Sequence, residues 1–353
     1  MQHILFRVNA GVTSGLGHLM RCLALAQAAS KNQFSAVFLL NSEGAKLSQN
    51  RQDWIGQVHV MPEFKTDIQE IEKISDCCIN HNIDVIVIDG YHFSAEYRQQ
   101  LASLNYPVVC FDDMNNAGNL YADLIINGAS SANQLGYALN QPDTQLCLGD
   151  SFRVLRQEFC DLQSKPIEQR EYLTIVMGGS DPANLIIPLF VSLERMGFSG
   201  KLLIISGAAY PFLTQLKNHL NHTKIKVEHL HDCQQIAKWF LQTRLAISAA
   251  GGSQFELHAT ATPSCLLTVA DNQLEATKAA VLQGWCITED FSAIVGHNET
   301  QQRVAKVVQR VVSLWSNEAA LLNMQSRALA SRDSRGAQRV IEQIQTLCIA
   351  NKK

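Results

Sequence analysis

Along this chain, short apolar or β-branched runs alternate with segments of helical period over almost the whole length. In the first half the runs fall at 4–8, 36–40, 58–61, 85–89, 108–112 and 124–127. Each is followed by helical or loop sequence, the order that yields a parallel sheet covered on both faces. Val85-Ile86-Val87-Ile88 is apolar at every position and predicts a central strand buried on both sides. A polar stretch, 163–171, with Pro166 and four charged residues, breaks the pattern. The alternation restarts at 173–177, 202–206, 225–229, 245–248 and 264–267, and 301–346 has an amphipathic helical period. The pattern predicts an α/β protein of two doubly wound, Rossmann-type domains facing across a cleft. Residues 1–165 form the first, and residues 171–353, with the terminal helices, the second. Ligands of such sheets sit at the carboxyl ends of the strands, so the residues just after each run are the ones to read.

Composition narrows the class. At 353 residues, 46% hydrophobic and 17% charged, the chain has ample core for two domains. A net charge of -3 gives no reason to expect nucleic acid or an anionic membrane, so a small-molecule partner is expected. Ten cysteines occur with no Cys-x-x-Cys spacing, which suits a reducing cytosol. No basic segment followed by an apolar run opens the chain, and no apolar run reaches the roughly 18 residues of a membrane span. A soluble, cytoplasmic protein is expected, binding neither nucleic acid nor membrane. Its oligomeric state is not encoded in any of these features.

Asn9, Gly15, Gly17, His18 and Arg21 follow the first run. A helix starting near Gly17 puts His18 in its first turn, where free N–H groups and the dipole make an anion site and favour a neutral imidazole. Glycines that only allow close helix–strand packing would explain the same spacing. After the fourth run come Asp89-Gly90-Tyr91-His92. Asp89 accepts a proton, orients His18 or caps a turn, and Tyr91 is a candidate substrate contact. Asp112-Asp113 either act as a close carboxylate pair or face water.

The second half repeats this grammar. Gly178-Gly179-Ser180-Asp181-Pro182 would let the backbone approach a diphosphate, with Pro182 at a first helical position. Gly251, Gly252 and Ser253 can present N–H groups to phosphate oxygens, and Glu256 can bond a ribose diol. Ser253 and Glu256 equally have capping-box spacing. Asn272 and Gln273 would place amide donors beside a sugar or phosphate. The pairs His219–His222 and His229–His231 lack matching carboxylate or cysteine partners, so no metal is expected.

In order and spacing these motifs resemble the UDP-sugar hydrolases of pseudaminic acid biosynthesis, the PseG family, across nearly the whole chain. The resemblance is carried by Phe6-Arg7-Val8, Gly15-x-Gly17-His18-x-Met20-Arg21-Cys22-Leu23, Asp89-x-Tyr91 and Phe111-Asp112-Asp113. It continues through Leu148-Gly149, Leu155-Arg156-x-Glu158-Phe159, Gly178 to Pro182, Gly251-Gly252-Ser253 with Glu256, and Ala270-Asp271-Asn272-Gln273.

It implies a GT-B-like architecture, shared with the transferase that adds N-acetylglucosamine to peptidoglycan lipid I. It also implies release of UDP from a 2,4-diacetamido-2,4,6-trideoxy-β-L-altropyranose by water attack at the anomeric carbon, without metal or other cofactor. On that resemblance His18, with Asp89 nearby, activates or positions the water, and Tyr91 holds sugar or water. The Gly251–Ser253 turn holds the diphosphate, Glu256 the ribose, and Asn272 and Gln273 face the sugar–phosphate end. Three departures bear on the sugar and the acid/base detail: Asn9 stands where the family has aspartate, Gly90 where it has histidine, with His92 two residues on, and Leu257-His258-Ala259-Thr260-Ala261 after Glu256 differs from the usual pattern. The alternative functions are a GT-B glycosyltransferase with a UDP-amino sugar donor, and a catalytically silent sugar-nucleotide binder.

Overall fold

The structure, a computed structural model, describes residues 2–11, 16–293 and 296–350. Its first unit is built on a parallel sheet of β1 (Gln2–Val8), β2 (Phe34–Leu40), β3 (Gln57–Val60), β4 (Val85–Asp89), β5 (Val108–Phe111), β6 (Leu124–Asn127) and β7 (Gln145–Leu148). The strand order is β3-β2-β1-β4-β5-β6-β7. As the apolar run predicts, β4 takes the central place and all five of its residues are buried. Helices cover both faces. Helix Gly17–Lys31 contributes Leu19, Cys22, Leu25, Ala26 and Ala29 to one core, and helix Asp67–Asn80 contributes Ile71, Ile74, Cys77 and Cys78 to the other.

The second unit repeats the plan with β8 (Tyr172–Val176), β9 (Lys201–Ser206), β10 (Val227–His231), β11 (Thr243–Ala249), β12 (Ser264–Thr268) and β13 (Cys286–Asp290). These form a parallel sheet in the order β10-β9-β8-β11-β12-β13. Two strands, β7 and β13, are absent from the sequence reading. Both are half-buried sheet edges, and their mixed polar and apolar residues lack the continuous hydrophobic run of an interior strand. Strand β10 lies two residues beyond the expected 225–229.

By backbone contacts the units divide into residues up to Cys160 together with those from Asp333 onward, and Asp161–Arg332. The sequence pattern places all terminal helices in the second domain. In the structure, helices His297–Trp315 and Glu318–Ser331 remain there, whereas helix Gly336–Ala350 belongs to the first unit. Val340, Ile341, Ile344 and Cys348 enter the same core as Ile4, Phe6 and Leu25. Burying each such aliphatic side chain is worth about 1.5–3 kcal/mol, enough to draw the last helix back. Among the described residues no helix is long and apolar enough to cross a membrane.

Candidate functional site

In the first unit the strand order turns back between β1 and β4, the place where open α/β sheets bind ligands. Val8 pairs with Asp89 across these strands, so the segments leaving them run out side by side. The helix that begins at Gly17 brings His18 and Arg21 to the same strand ends.

Asp89 is the hub. Its side chain is fully buried; Oδ1 accepts from His18 Nδ1 at 2.7 Å and from Arg21 Nη2 at 2.7 Å, while Oδ2 accepts from Arg21 Nε at 2.5 Å. Burial alone would push this carboxyl up, but the charges and hydrogen bonds of Arg21 and His18 outweigh it and hold it well below the usual carboxylate range. Asp89 therefore stays ionised. Of the roles open to it in the sequence, the geometry fits the one that orients His18 and not that of proton acceptor.

Arg21 also donates from Nη1 to Asp113 Oδ1 at 2.8 Å, and the Tyr91 hydroxyl donates to the other Asp113 oxygen. Burial opposes ionisation of Asp113 too, and Arg21 again more than compensates. The guanidinium lies 4.9 Å from the centre of the Phe111 ring. Tyr91 meets the His18 ring edge-on at 4.8 Å and remains half exposed. With Nδ1 engaged by Asp89, Nε2 is the His18 nitrogen left for a water.

One turn beyond His18 in the sequence, Arg21 is a candidate to reach a substrate anion; in this geometry its guanidinium is shared between the Asp89 and Asp113 carboxylates. Asp112 and Asp113 neither pair with one another nor simply face water. Asp112 Oδ2 accepts from the Tyr137 hydroxyl at 2.5 Å and from the Asn115 N–H at 2.6 Å, whereas Asp113 turns to Arg21 and Tyr91. Asp113 was legible only as half of an acidic pair. Its partner Arg21 lies 92 residues away, a separation that no local motif reports.

The second unit's strand ends look different. Gly251 caps helix Gly252–Ala259, and a Cβ added at Gly252 would meet no atom within 4 Å. The backbone at this helix start is open to approach. The capping box is not formed, because Gly251 occupies the capping position and no side chain bonds there. Gln273, in the short turn Asp271–Gln273 after β12, donates nothing to this helix start, but its Nε2 would lie 3.8 Å from a Gly251 Cβ. Its Oε1 accepts from the Val269 N–H at 2.9 Å. Gly251 and Gln273 are thus neighbours, at the ends of adjacent strands β11 and β12 that also carry Ser253, Glu256 and Asn272.

Gly179 and Ser180 stand in the turn after β8. A Cβ on Gly207 would come 2.4 Å from the Gly179 carbonyl oxygen, so the packing of this turn against the loop after β9 demands glycine at 207. Pro182 is not a first helical position. The helix starts at Ile186, and Asp181 caps it by accepting from the N–H groups of Leu185 at 2.9 Å and Ile186 at 3.0 Å. Gly17 opens the first unit's helix with no atom within 4 Å of an added Cβ. Gly15 lies outside the described residues.

No family model matches the chain. It is 21% identical over 257 residues to an uncharacterized protein of Methanocaldococcus jannaschii, covering 70% of this chain and 52% of that protein. The chain thus spans about half the length of that relative. It is 22% identical over 253 residues to the UDP-2,4-diacetamido-2,4,6-trideoxy-beta-L-altropyranose hydrolase of Campylobacter jejuni, covering 70% of this chain and 85% of that protein. Among solved structures it is similar to MurG of Acinetobacter baumannii, with a TM-score of 0.64, 13% identity and coverage of 98% and 100% of the two chains. The co-structure of S. aureus MnaA with UDP gives a TM-score of 0.67, 10% identity and coverage of 98% and 97%. Across these low identities the shared property is the architecture: the chain has the GT-B fold of two parallel, doubly wound units.

Proposed function

We propose that this chain hydrolyses a UDP-linked 2,4-diacetamido-2,4,6-trideoxy sugar, releasing the free sugar and UDP. The observation that carries the reading is the His18 imidazole, fixed through Nδ1 by a buried, ionised Asp89 at a strand-end switch point. In the proposed step His18 Nε2 takes a proton from water as the water oxygen bonds to the anomeric carbon. The bond from that carbon to the diphosphate oxygen breaks, and its electron pair leaves with UDP. Tyr91, half exposed beside His18, contacts sugar or water. The role assigned to the open helix start at Gly251–Gly252 is to meet the diphosphate with backbone N–H groups, which need no reorganisation as charge builds on the leaving group. Ser253, Glu256, Asn272 and Gln273 are proposed to bind the remainder of the nucleotide. The Campylobacter relative supports this substrate class.

A glycosyltransferase is the second reading, supported by the likeness to MurG in fold. One experiment separates the two: incubation with the UDP-linked diacetamido sugar in oxygen-18 water, without an acceptor, followed by mass spectrometry. Label in the released sugar is the expected result. Label in the UDP phosphate would place the attack on phosphorus and overturn the role of His18. UDP release only after an acceptor sugar is added would identify a transferase.

A further inference from the structure

A second histidine, His92, lies near enough to His18 and Asp89 to feel their charges and is held in a different way. Arg7 of β1 is buried, with Nε donating to Glu70 Oε1 at 2.8 Å and Nη1 to Asn9 Oδ1 at 2.6 Å. A guanidinium has donors only, so the Asn9 atom that faces it is the carbonyl oxygen. This fixes the other half of the amide: Asn9 Nδ2, a donor, meets His92 Nε2 at 3.0 Å. A ring nitrogen that receives an N–H must offer its lone pair, which leaves His92 neutral with its proton on Nδ1. His92 is exposed, and its Nδ1 has no partner among the described residues.

The surroundings keep the ring in this state. Arg7 and Asn9 come from β1 and the segment after it, Glu70 from helix Asp67–Asn80, His18 from helix Gly17–Lys31, and Asp89 from the end of β4. Removal of water by these neighbours and the positive charge of Arg7 lower the His92 pKa to about 4, with Glu70 pulling the other way. Glu70 is itself engaged by Arg7 and by the Tyr97 hydroxyl at 2.7 Å, and does not bond the imidazole. One face of the imidazole packs on Phe93, ring centres 3.9 Å apart. A Cβ on residue 90 would stand 2.7 Å from both Nδ1 and Cε1 of His92, so the ring takes this position only because residue 90 is glycine.

We infer that His92 is a second ligand-binding residue of this site: a fixed N–H donor for an oxygen acceptor of the molecule bound against His18, with Asn9 and Arg7 as its positioning residues. This rests on reading the His18 cluster as the site, and it goes beyond the hydrolase proposal by assigning a specificity to one side of it. An acyl, hydroxyl or phosphate oxygen satisfies the Nδ1–H. A ligand ammonium at the same point would set donor against donor.

The test begins with nitrogen-15 NMR of the histidine rings in the full chain. His92 is expected to carry its proton on Nδ1 and to show no titration between roughly pH 5 and 8, the range where an ordinary histidine changes charge. Replacing Asn9→Asp puts an acceptor against Nε2; the ring should then gain a second proton and titrate within that range. A proton on Nε2, or an ordinary midpoint, in the unaltered chain would overturn the inference. In turnover of the UDP-linked diacetamido sugar, His92→Phe is expected to raise KM about tenfold, the worth of one good hydrogen bond, with kcat nearly kept. His92→Gln, which retains an N–H donor, should recover part of the loss. Equal KM in all three chains would overturn the ligand role. Absence of any turnover would defeat the hydrolase proposal instead, while the ring spectra still decide the state of His92.

Discussion

The two units share one grammar, a parallel strand leading through a glycine-containing turn to a helix, yet they fill it with opposite chemistry. At the strand ends of the first, side chains converge: Arg21, His18, Asp113 and Tyr91 form one connected set of hydrogen bonds around the buried Asp89. In the second, the corresponding place at the end of β11 is backbone, a Gly251-capped helix start with free space around Gly252. The contrast extends to single carboxylates. Asp89 is buried against a guanidinium and an imidazole and is held ionised; Asp181 is buried against only two backbone N–H groups, and desolvation pushes its pKa up despite them. Burial alone therefore does not set the state of an acid. The partner decides.

The sharpest test of this contrast is His18→Ala. Loss of a positioned base costs about 10²–10⁴ in rate, so UDP release should collapse while calorimetry finds UDP affinity unchanged. Near-normal turnover would sink the assignment of chemistry to the first unit.

Next in size is stability. Asp89→Ala leaves the Arg21 guanidinium without its main partner, and breaking a buried ion pair costs about 3–5 kcal/mol. The matching change in the second unit, Asp181→Ala, removes a helix cap worth about 0.5–2 kcal/mol. Urea unfolding followed by hydrogen exchange in each unit should show this ranking, and comparable losses in both would refute it.

The pH response should differ in sign. Asp89 and Asp113 have lowered folded-state pKa values. Their stabilisation is complete above the unfolded carboxyl value, roughly pH 4, and is lost as pH falls through the lower folded values. Asp181 has a raised value, so its effect runs the other way: stability declines as pH rises from roughly 4 to the folded value and is flat above it. Mild acid should thus firm the backbone around Leu185 and Ile186 and leave that around Asp89 unchanged; Asp181→Asn should abolish the effect. A uniform acid response of both units would contradict the two environments.

The smallest effect belongs to Gly252→Ala. An alanine within a helix is favoured over glycine by up to about 1 kcal/mol, and no neighbour obstructs it. Thermal stability should hold or rise slightly while UDP affinity falls, because a methyl group now stands where the phosphate would approach. Unchanged UDP affinity would remove this turn from the binding site.

The legible part of this protein lay in its periodicities. Apolar runs marked most strands, and the continuous run Val85–Ile88 announced the centre of a sheet, because a strand buried on both faces cannot be polar on either. Strands β7 and β13 escaped, since Gln145 at the start of the one and Thr288, Glu289 and Asp290 in the other break up what is left of an apolar run. Local motifs also placed His18, Gly251 and Gln273 after their strands and Asp89 at the end of its own, which is where the structure has them. The sequence pattern places the last helix with the second unit and the structure with the first, because its apolar face, Val340, Ile341 and Ile344, suits any core.

The two-sheet plan and the inventory of reactive groups at strand ends are thus written along the chain. Tertiary structure decided the partnerships. His18 and Asp89 are 71 residues apart, Arg21 and Asp113 are 92 apart, and Asn9 and His92 are 83 apart. Those pairs set which acid is ionised, which imidazole nitrogen is free and which way an amide points. The physical reason is range. Periodicity records which face of an element is buried, a property of neighbours along the chain, whereas the charge state of a side chain depends on whichever group the strand order sets against it.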